Sequence, residues 1–322
     1  MNERRLRDPL RRRLLYLLGL WAACLITSSL ISPHFLQPST LPFLLQYVPI
    51  LGLLGLGQTL VMLAGGPGID LSVGASLSLS GLAMAWLFSL GVDIYIACLA
   101  GIVLGALLGS VNGILITVLG IPSLMATLAT MFGFGGLALA LTGGTPIGGI
   151  PDSFAWLGQG RTLSIPNHFW VLFVPIAIML HVLLAHTAIG SHIYAAGNDE
   201  RAAYLLGVKV RRLRFGLYAL NGVLAAIGAA MMLSWFQAAR PDAGRGMELL
   251  SVTIAVLGGT HIFGGLGRVS GTVVAIMIVA TLQVGLQLAN ISHAWQLGVI
   301  GTLLVGSVVL DNLGTLKRLR AG

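Results

Sequence analysis

Charge is scarce in this chain: 9% of its 322 residues are Asp, Glu, Lys or Arg, against 56% hydrophobic. With a mean hydropathy of +0.93 and long charge-free runs, that balance belongs to polytopic membrane proteins. Lysine occurs only as Lys209 and Lys317, and neither follows a glycine. A Gly-x4-Gly-Lys-Ser/Thr phosphate loop is therefore excluded, and with it an ATPase site in this chain. Cys24 and Cys98 sit in apolar runs without disulfide or metal spacing, so they read as small core residues. The histidines form no His-Glu-x-x-His or Cys/His pattern. His181 and His186, five apart, do not share a helix face, and each histidine reads as satisfied or interfacial. No spaced carboxylate pair suits hydrolysis. The expectation is a chain with no catalytic residue, no metal and no cofactor of its own. The net charge of +8 is sorted by loop rather than gathered on a face, which argues for membrane orientation and against a nucleic-acid partner.

What is present is a series of apolar runs. A helical span needs roughly 20 apolar residues. The sequence predicts an all-α polytopic membrane protein of about ten transmembrane helices: 14–32, 43–64, 71–90, 94–118, 122–142, 169–189, 215–237, 249–260, 269–289 and 294–311. The first follows Arg4, Arg5, Arg7 and Arg11–Arg13 and imitates a signal peptide. At 19 residues, without an Ala-x-Ala site after it, it reads as a retained span. The eighth is short and runs into Gly258-Gly259, a broken or re-entrant segment. Ten spans starting inside place fifteen cations in the cytoplasm and three, Arg161, Arg240 and Arg245, outside. Both termini then fall in the cytoplasm. The expected organisation is a basic tail over 1–13, one transmembrane domain over 14–312 and a second basic tail over 313–322. Its main loops are a cytoplasmic one at 190–214 and a periplasmic one at 143–168, the latter rich in turn residues. Glycines at four-residue spacing, such as Gly101, Gly105 and Gly109, predict close helix packing.

The cytoplasmic loop carries seven charges in residues 198–214. Asn198 suits an N-cap, Asp199 and Glu200 suit a first helical turn, and Gly207 suits the left-handed position that ends a helix. A helix of about two turns is too short to stand alone, so it reads as a docking element. Every acidic residue falls at or beyond a span end in this map, Asp70 included. That argues against proton or sodium coupling and for energy supplied by another subunit. Amides and hydroxyls do enter the spans, Gln58, Asn112 and Thr127 among them. They are candidates for a narrow, neutral solute path at a subunit interface, the alternative being hydrogen bonds between helices.

From about residue 40 to 312 the chain resembles inner-membrane permeases of bacterial ABC importers in the ribose/branched-chain amino acid class. The resemblance rests on Gly68-Ile69-Asp70-Leu71-Ser72-Val73-Gly74, Asn112-Gly113, Pro122 through Leu128 and Thr142-Gly143-Gly144. It continues through Tyr194 to Asn198, Ala202-Ala203, Leu206-Gly207-Val208, Gly258-Gly259 and Gly264 through Gly267. Within the class, Gly-Ile-Asp-Leu-Ser favours the ribose-type sugar branch, with autoinducer-type, branched-chain amino acid and nucleoside permeases as alternatives. The resemblance implies a multi-pass protein of the bacterial inner membrane that pairs with a second permease, identical or sister. Two cytoplasmic ATPase subunits would use the ATP, and a periplasmic solute-binding protein would deliver the solute. It also implies that the coupling helix spans Gly197, Asn198, Asp199, Glu200, Ala202, Ala203, Leu206 and Gly207, with the two alanines on its close-packing face. Arg161, Arg240 and Arg245 would then meet acidic residues of the binding protein, against the plainer reading of solvated loop charge. Gly135 departs from the pattern, standing where many relatives carry arginine. A stand-alone, ion-coupled secondary transporter is the reading from a different class.

Overall fold

Thr40–Leu63 forms a helix that the rest of the chain encloses. The computed structural model describes residues 3–292, 295–296, 298–303, 305–306 and 309, with the backbone alone for 3–12. In chain order the elements are α1 (Glu3–Ile31), α2 (Thr40–Leu63), α3 (Val73–Ser89), α4 (Ile94–Thr117) and α5 (Ser123–Thr142). Next come α6 (Asp152–Gly158), a hairpin of β1 (Arg161–Thr162) and β2 (Ile165–Pro166), and a π-helical turn at Phe169–Phe173 that leads into α7 (Val174–His186). The remainder is α8 (Ala188–Asn198), α9 (Glu200–Leu205), α10 (Val210–Phe236), α11 (Met247–Leu257) and α12 (Val269–Leu288).

The protein is mostly helical, and seven helical stretches among the described residues are long and apolar enough to cross a membrane. These are the apolar part of α1, then α2, α4, α5, the π turn with α7, α10 and α12. Two further expected spans, 71–90 and 249–260, form the shorter apolar helices α3 and α11. The tenth, 294–311, is described only in part, at 295–296, 298–303, 305–306 and 309, all of them helical. The tail 313–322 with Lys317, Arg318 and Arg320 lies outside the described residues, and so do the side chains of the 1–13 tail before Arg13.

Local chemistry explains the helix ends. The Asp93 carboxylate accepts from the N–H groups of Tyr95 and Ile96 and opens α4. Pro122 precedes α5, whose last turn closes on Gly143 in the left-handed region. Two ends differ from expectation. α1 is helical from Glu3 and α10 from Val210, so Arg211, Arg212 and Arg214 belong to the first turns of α10 rather than to a loop. Arginine is a good helix former. Its charge marks where the apolar stretch stops, not where the helix stops.

Burial ranks the helices. In α2, 83% of the most apolar window is buried, in α10 67% and in α12 61%, whereas α1, α5 and the α7 stretch show 17–22%. Small residues bring α4 and α10 together. Gly105 and Gly109 of α4 lie directly on the α10 backbone at Gly222 and Tyr218, leaving no room for a Cβ. α1 lies against α12, where Trp21 Nε1 donates to Thr281 Oγ1 at 3.0 Å. The 143–168 segment forms turns, the short α6 and the hairpin. It is bolted down because Ser234 of α10 donates to Phe154 and accepts from the Gly158 N–H. His168 is fully buried there, its ring nitrogens facing the carbonyls of Leu157 and Gln46.

Candidate functional site

The chain between α2 and α3 is not a surface loop. Residues 64–72 turn back into the bundle and carry Asp70, 2% exposed, to the face of α10. The Asp70 Oδ1 accepts from the Ser72 backbone N–H at 2.9 Å and from the Ser72 hydroxyl at 2.8 Å. Its Oδ2 accepts from Asn221 Nδ2 at 2.9 Å. Asn112 of α4 donates to Ser72 Oγ at 2.7 Å and lies 3.5 Å from Oδ1. Thr130 of α5 donates in turn to Asn112 Oδ1 at 2.6 Å. With its amide oriented to satisfy both contacts, Gln58 of α2 bridges the Asp70 backbone: Nε2 donates to the carbonyl at 3.1 Å, and Oε1 accepts from the N–H at 3.2 Å. Thr127 donates to the carbonyls of Ser123 and Ile69. Both Asp70 oxygens act only as acceptors, an arrangement suited to a carboxylate.

This corrects two expectations. Asp70 does lie between two helix ends, as mapped, but it is buried in the bundle rather than at a wet surface, because non-helical backbone can run inward when side chains satisfy it. Gln58, Asn112 and Thr127, the candidates for lining a solute path, all converge on this segment; each is 0% exposed and committed to the network, so none faces an open passage in this conformation. The motif glycines serve close approach. Gly68 lies on the Val61 carbonyl, and Gly74 lies on the backbone of Gly244. Asn221, the main partner of the carboxylate, could not be singled out from sequence: it is one amide among several in an apolar run.

The second cluster is the charged segment after α7. Thr187 caps α8, which ends at Asn198. The cap of the next helix is Asp199, one residue later than expected: its carboxylate accepts from Arg201 N–H at 2.9 Å and Ala202 N–H at 3.0 Å. Asn198 instead lies against Gly265, and Gly197 against the Leu63 carbonyl, joining the elbow to the end of α2. Gly207, with φ of +85°, closes α9 through bonds from Gly207 N–H to Tyr204 and from Val208 N–H to Ala203, a Schellman ending. The two alanines do not form a shared outer face. Ala203 is 1% exposed, in a small core with Ala196, Val208 and Val210, while Ala202 is exposed. The outward tip consists of Tyr204, Leu205 and Leu206, 72–82% exposed, beside a groove lined by Glu200 and by Arg201, Lys209, Arg211 and Arg212. Glu200 reaches Arg214, whose NH1 lies 2.8 Å from its Oε2.

The third cluster lies on the segment between α10 and α11. Arg240 makes a paired contact with Asp242, Nε and NH2 each 3.1 Å from a carboxylate oxygen. Hydrogen bonding to that guanidinium holds the Asp242 carboxyl below the usual carboxylate range. All three outer arginines are exposed, and Arg240 is compensated by its own loop. An antiparallel bridge between Ile147 and Ala239 ties this segment to the one after α5. Gly135 sits against Ala75, where an added Cβ would make ordinary contact at 3.9 Å.

No solved structure matches the chain. A ribose import permease protein of Bacillus subtilis is 40% identical over 306 residues, 94% of each chain. The ribose import permease protein of Escherichia coli K12 is 34% identical over 288 residues, 88% of this chain and 89% of that one. An autoinducer 2 import system permease protein of an Enterobacter species is 36% identical over 281 residues, 85% of each. Residues 40–308 match the family described as branched-chain amino acid transport system / permease component, a span that holds the Asp70 network, the elbow and the Arg240 loop. The chain belongs to that family of multi-pass membrane permeases.

Proposed function

We propose that the chain is the translocation subunit of an ATP-driven importer for a small, hydroxyl-rich neutral solute, a sugar of the ribose type. The observation that carries this is the end-to-end likeness, 40% over 94% of both chains, to a ribose import permease. Likeness to an autoinducer 2 import permease at 36% supports autoinducer 2 as a second solute. On this reading the protein lies in the bacterial inner membrane with about ten spans and both termini in the cytoplasm. It works as a permease pair, identical or sister, on two ATPase subunits that use the ATP, and receives solute from a periplasmic binding protein.

The elbow from Gly197 to Gly207 is the coupling element. Its apolar tip, flanked by four basic side chains, suits an apolar socket with an acidic rim on the ATPase. Arg245 and Arg161 are the better candidates for binding-protein contact, since Arg240 already holds Asp242. Gln58, Asn112 and Thr127 support the broken segment at Asp70, and the solute path runs elsewhere, at the interface of the pair. The test is to express the chain with its ATPase and binding protein in cells deleted for their own ribose permease. Uptake of labelled ribose supports the reading. Uptake of autoinducer 2 alone selects the second solute, and uptake that persists without the ATPase selects an ion-coupled carrier.

A further inference from the structure

One face of α10 holds both ends of the broken segment. Arg214, Tyr218 and Asn221 are spaced as one helical stripe. Asn221 grips Asp70 at one end. At the other end, Arg214 Nε donates to the Ala64 carbonyl at 3.2 Å, and its guanidinium lies against Gly66. A Cβ on Gly66 would stand 2.9 Å from the guanidinium carbon, so this approach depends on glycine. The same guanidinium reaches out to Glu200, in the first turn of α9. Arg214 is 16% exposed and Glu200 56%, so one side chain spans from the wet surface to the root of the segment.

We infer that Arg214 is a positioning residue that transmits movement of the elbow to the Asp70 segment, a role that rests on the docking function proposed for α9. Arginine suits it because a planar fork can hold a carboxylate and a carbonyl at once. Displacement of α9 pulls Glu200, and Arg214 carries that pull to Ala64 and Gly66. Pro67, whose ring fixes φ, passes it on toward Asp70 and, through its carbonyl, to Ser123 at the start of α5. The segment has space for such a step. A cavity of 20 Å³, room for about one water, lies between Gly66, Ile116, Arg214 and Tyr218. The buried Tyr218 hydroxyl there lies beside Ser123 without completing a hydrogen bond, so this arrangement leaves one polar group for a second arrangement to satisfy.

The experiment uses the assembled permease–ATPase complex, freed of its own cysteines and carrying Ile69→Cys as a reporter in the segment. Thiol modification of the reporter is timed without nucleotide and after trapping with ATP and vanadate. In the parent complex the rate should change at least fivefold between the two states. Arg214→Gln and Glu200→Gln should each reduce that change to less than twofold. The double variant should be no worse than either single one, since both remove one strut. Arg214→Lys, which keeps charge but not the fork, should fall between. If Arg214→Gln yields no complex, Glu200→Gln answers alone, because its side chain is mostly exposed. A reporter blind to nucleotide in the parent, or variants that respond as the parent does, would overturn the inference. A Leu206→Asp control separates the two claims. Normal ATPase co-purification with Leu206→Asp sinks the docking role itself. Loss of co-purification together with unaltered Arg214→Gln and Glu200→Gln sinks the strut alone.

Discussion

Asn221 and Asp70, 151 residues apart in sequence, are joined by a 2.9 Å hydrogen bond that fixes the break between α2 and α3 onto α10. Both are at least 98% buried, so neither can exchange its partner for water. Asn221→Leu removes the donor and leaves Oδ2 buried without one. The expected cost is about 1–3 kcal/mol. It should appear as a lower thermal midpoint for the solubilised permease, with the uptake KM of whatever folds left unchanged. Parent-like stability with a raised KM would place Asn221 in the solute path instead.

The elbow predicts a contrast between adjacent alanines. Ala203→Arg forces a cation into the small core of Ala196, Val208 and Val210, which costs about 3–5 kcal/mol for an unpaired buried charge. The expected result is loss of folded protein. Ala202→Arg points outward and should leave yield unaffected while weakening co-purification with the ATPase. The opposite ranking in a yield and pull-down assay would put Ala203 on the outer face.

How much of this was legible in the sequence follows from which forces act between neighbours and which across the fold. Caps and turns are local, so the helix before Gly207 could be read to within a residue. Asp199 displaced Asn198 as the cap because Asn198 was drawn into contact with Gly265, a partner 67 positions away that no spacing reveals. The burial of Asp70 was hidden for the same reason: its neighbours look like a loop, and its partners Asn112 and Asn221 come from distant helices. In helices apolar all round, periodicity cannot tell a lipid-facing side from a buried one. Glycine spacing did: Gly105 and Gly109 marked the α4 face that meets α10. Arg214 was visible only as one of the cations of the cytoplasmic loop, since nothing in the spacing from Glu200 shows that the two meet.

Glycine substitutions should separate contact from open surface. Gly105→Leu pushes α4 off Gly222 and Ala226 and is expected to cost about 1–3 kcal/mol or more. Gly133→Leu on α5 has nothing within 4 Å and should stay within about 0.5 kcal/mol of the parent. Equal thermal midpoints for the two variants would contradict the α4–α10 contact.

Sidedness is testable with single cysteines in a version lacking Cys24 and Cys98. An impermeant thiol reagent added outside intact cells should modify Ala155→Cys in α6 and leave Tyr204→Cys in α9 untouched. Opening the cells should expose position 204. Reaction at 204 from outside would reverse the proposed orientation.

The outer arginines should be unequal. Arg245→Glu is expected to slow binding-protein association at low ionic strength, about tenfold, with the effect fading as salt rises. Arg240→Glu should cost less, because its charge is already answered by Asp242. Stopped-flow association at two salt concentrations checks both, and a larger effect at Arg240 would contradict the pairing.

The enclosed position of α2 also sets an order of events during synthesis. This helix emerges second, yet its cover is made by α10, α11 and α12, completed about 200 residues later. At 5–20 residues per second that is a delay of roughly 10–40 s. Gln58 can be answered early, since Asp70 follows it closely in the chain. Gln46 must wait for Gly158; the Thr59 hydroxyl donates to the Gly55 carbonyl within α2 and adds its 2.9 Å contact with Thr272 only when α12 arrives. A nascent chain stopped after α9 therefore exposes to lipid a helix built to be surrounded, with its amides already answered and its apolar cover still to come.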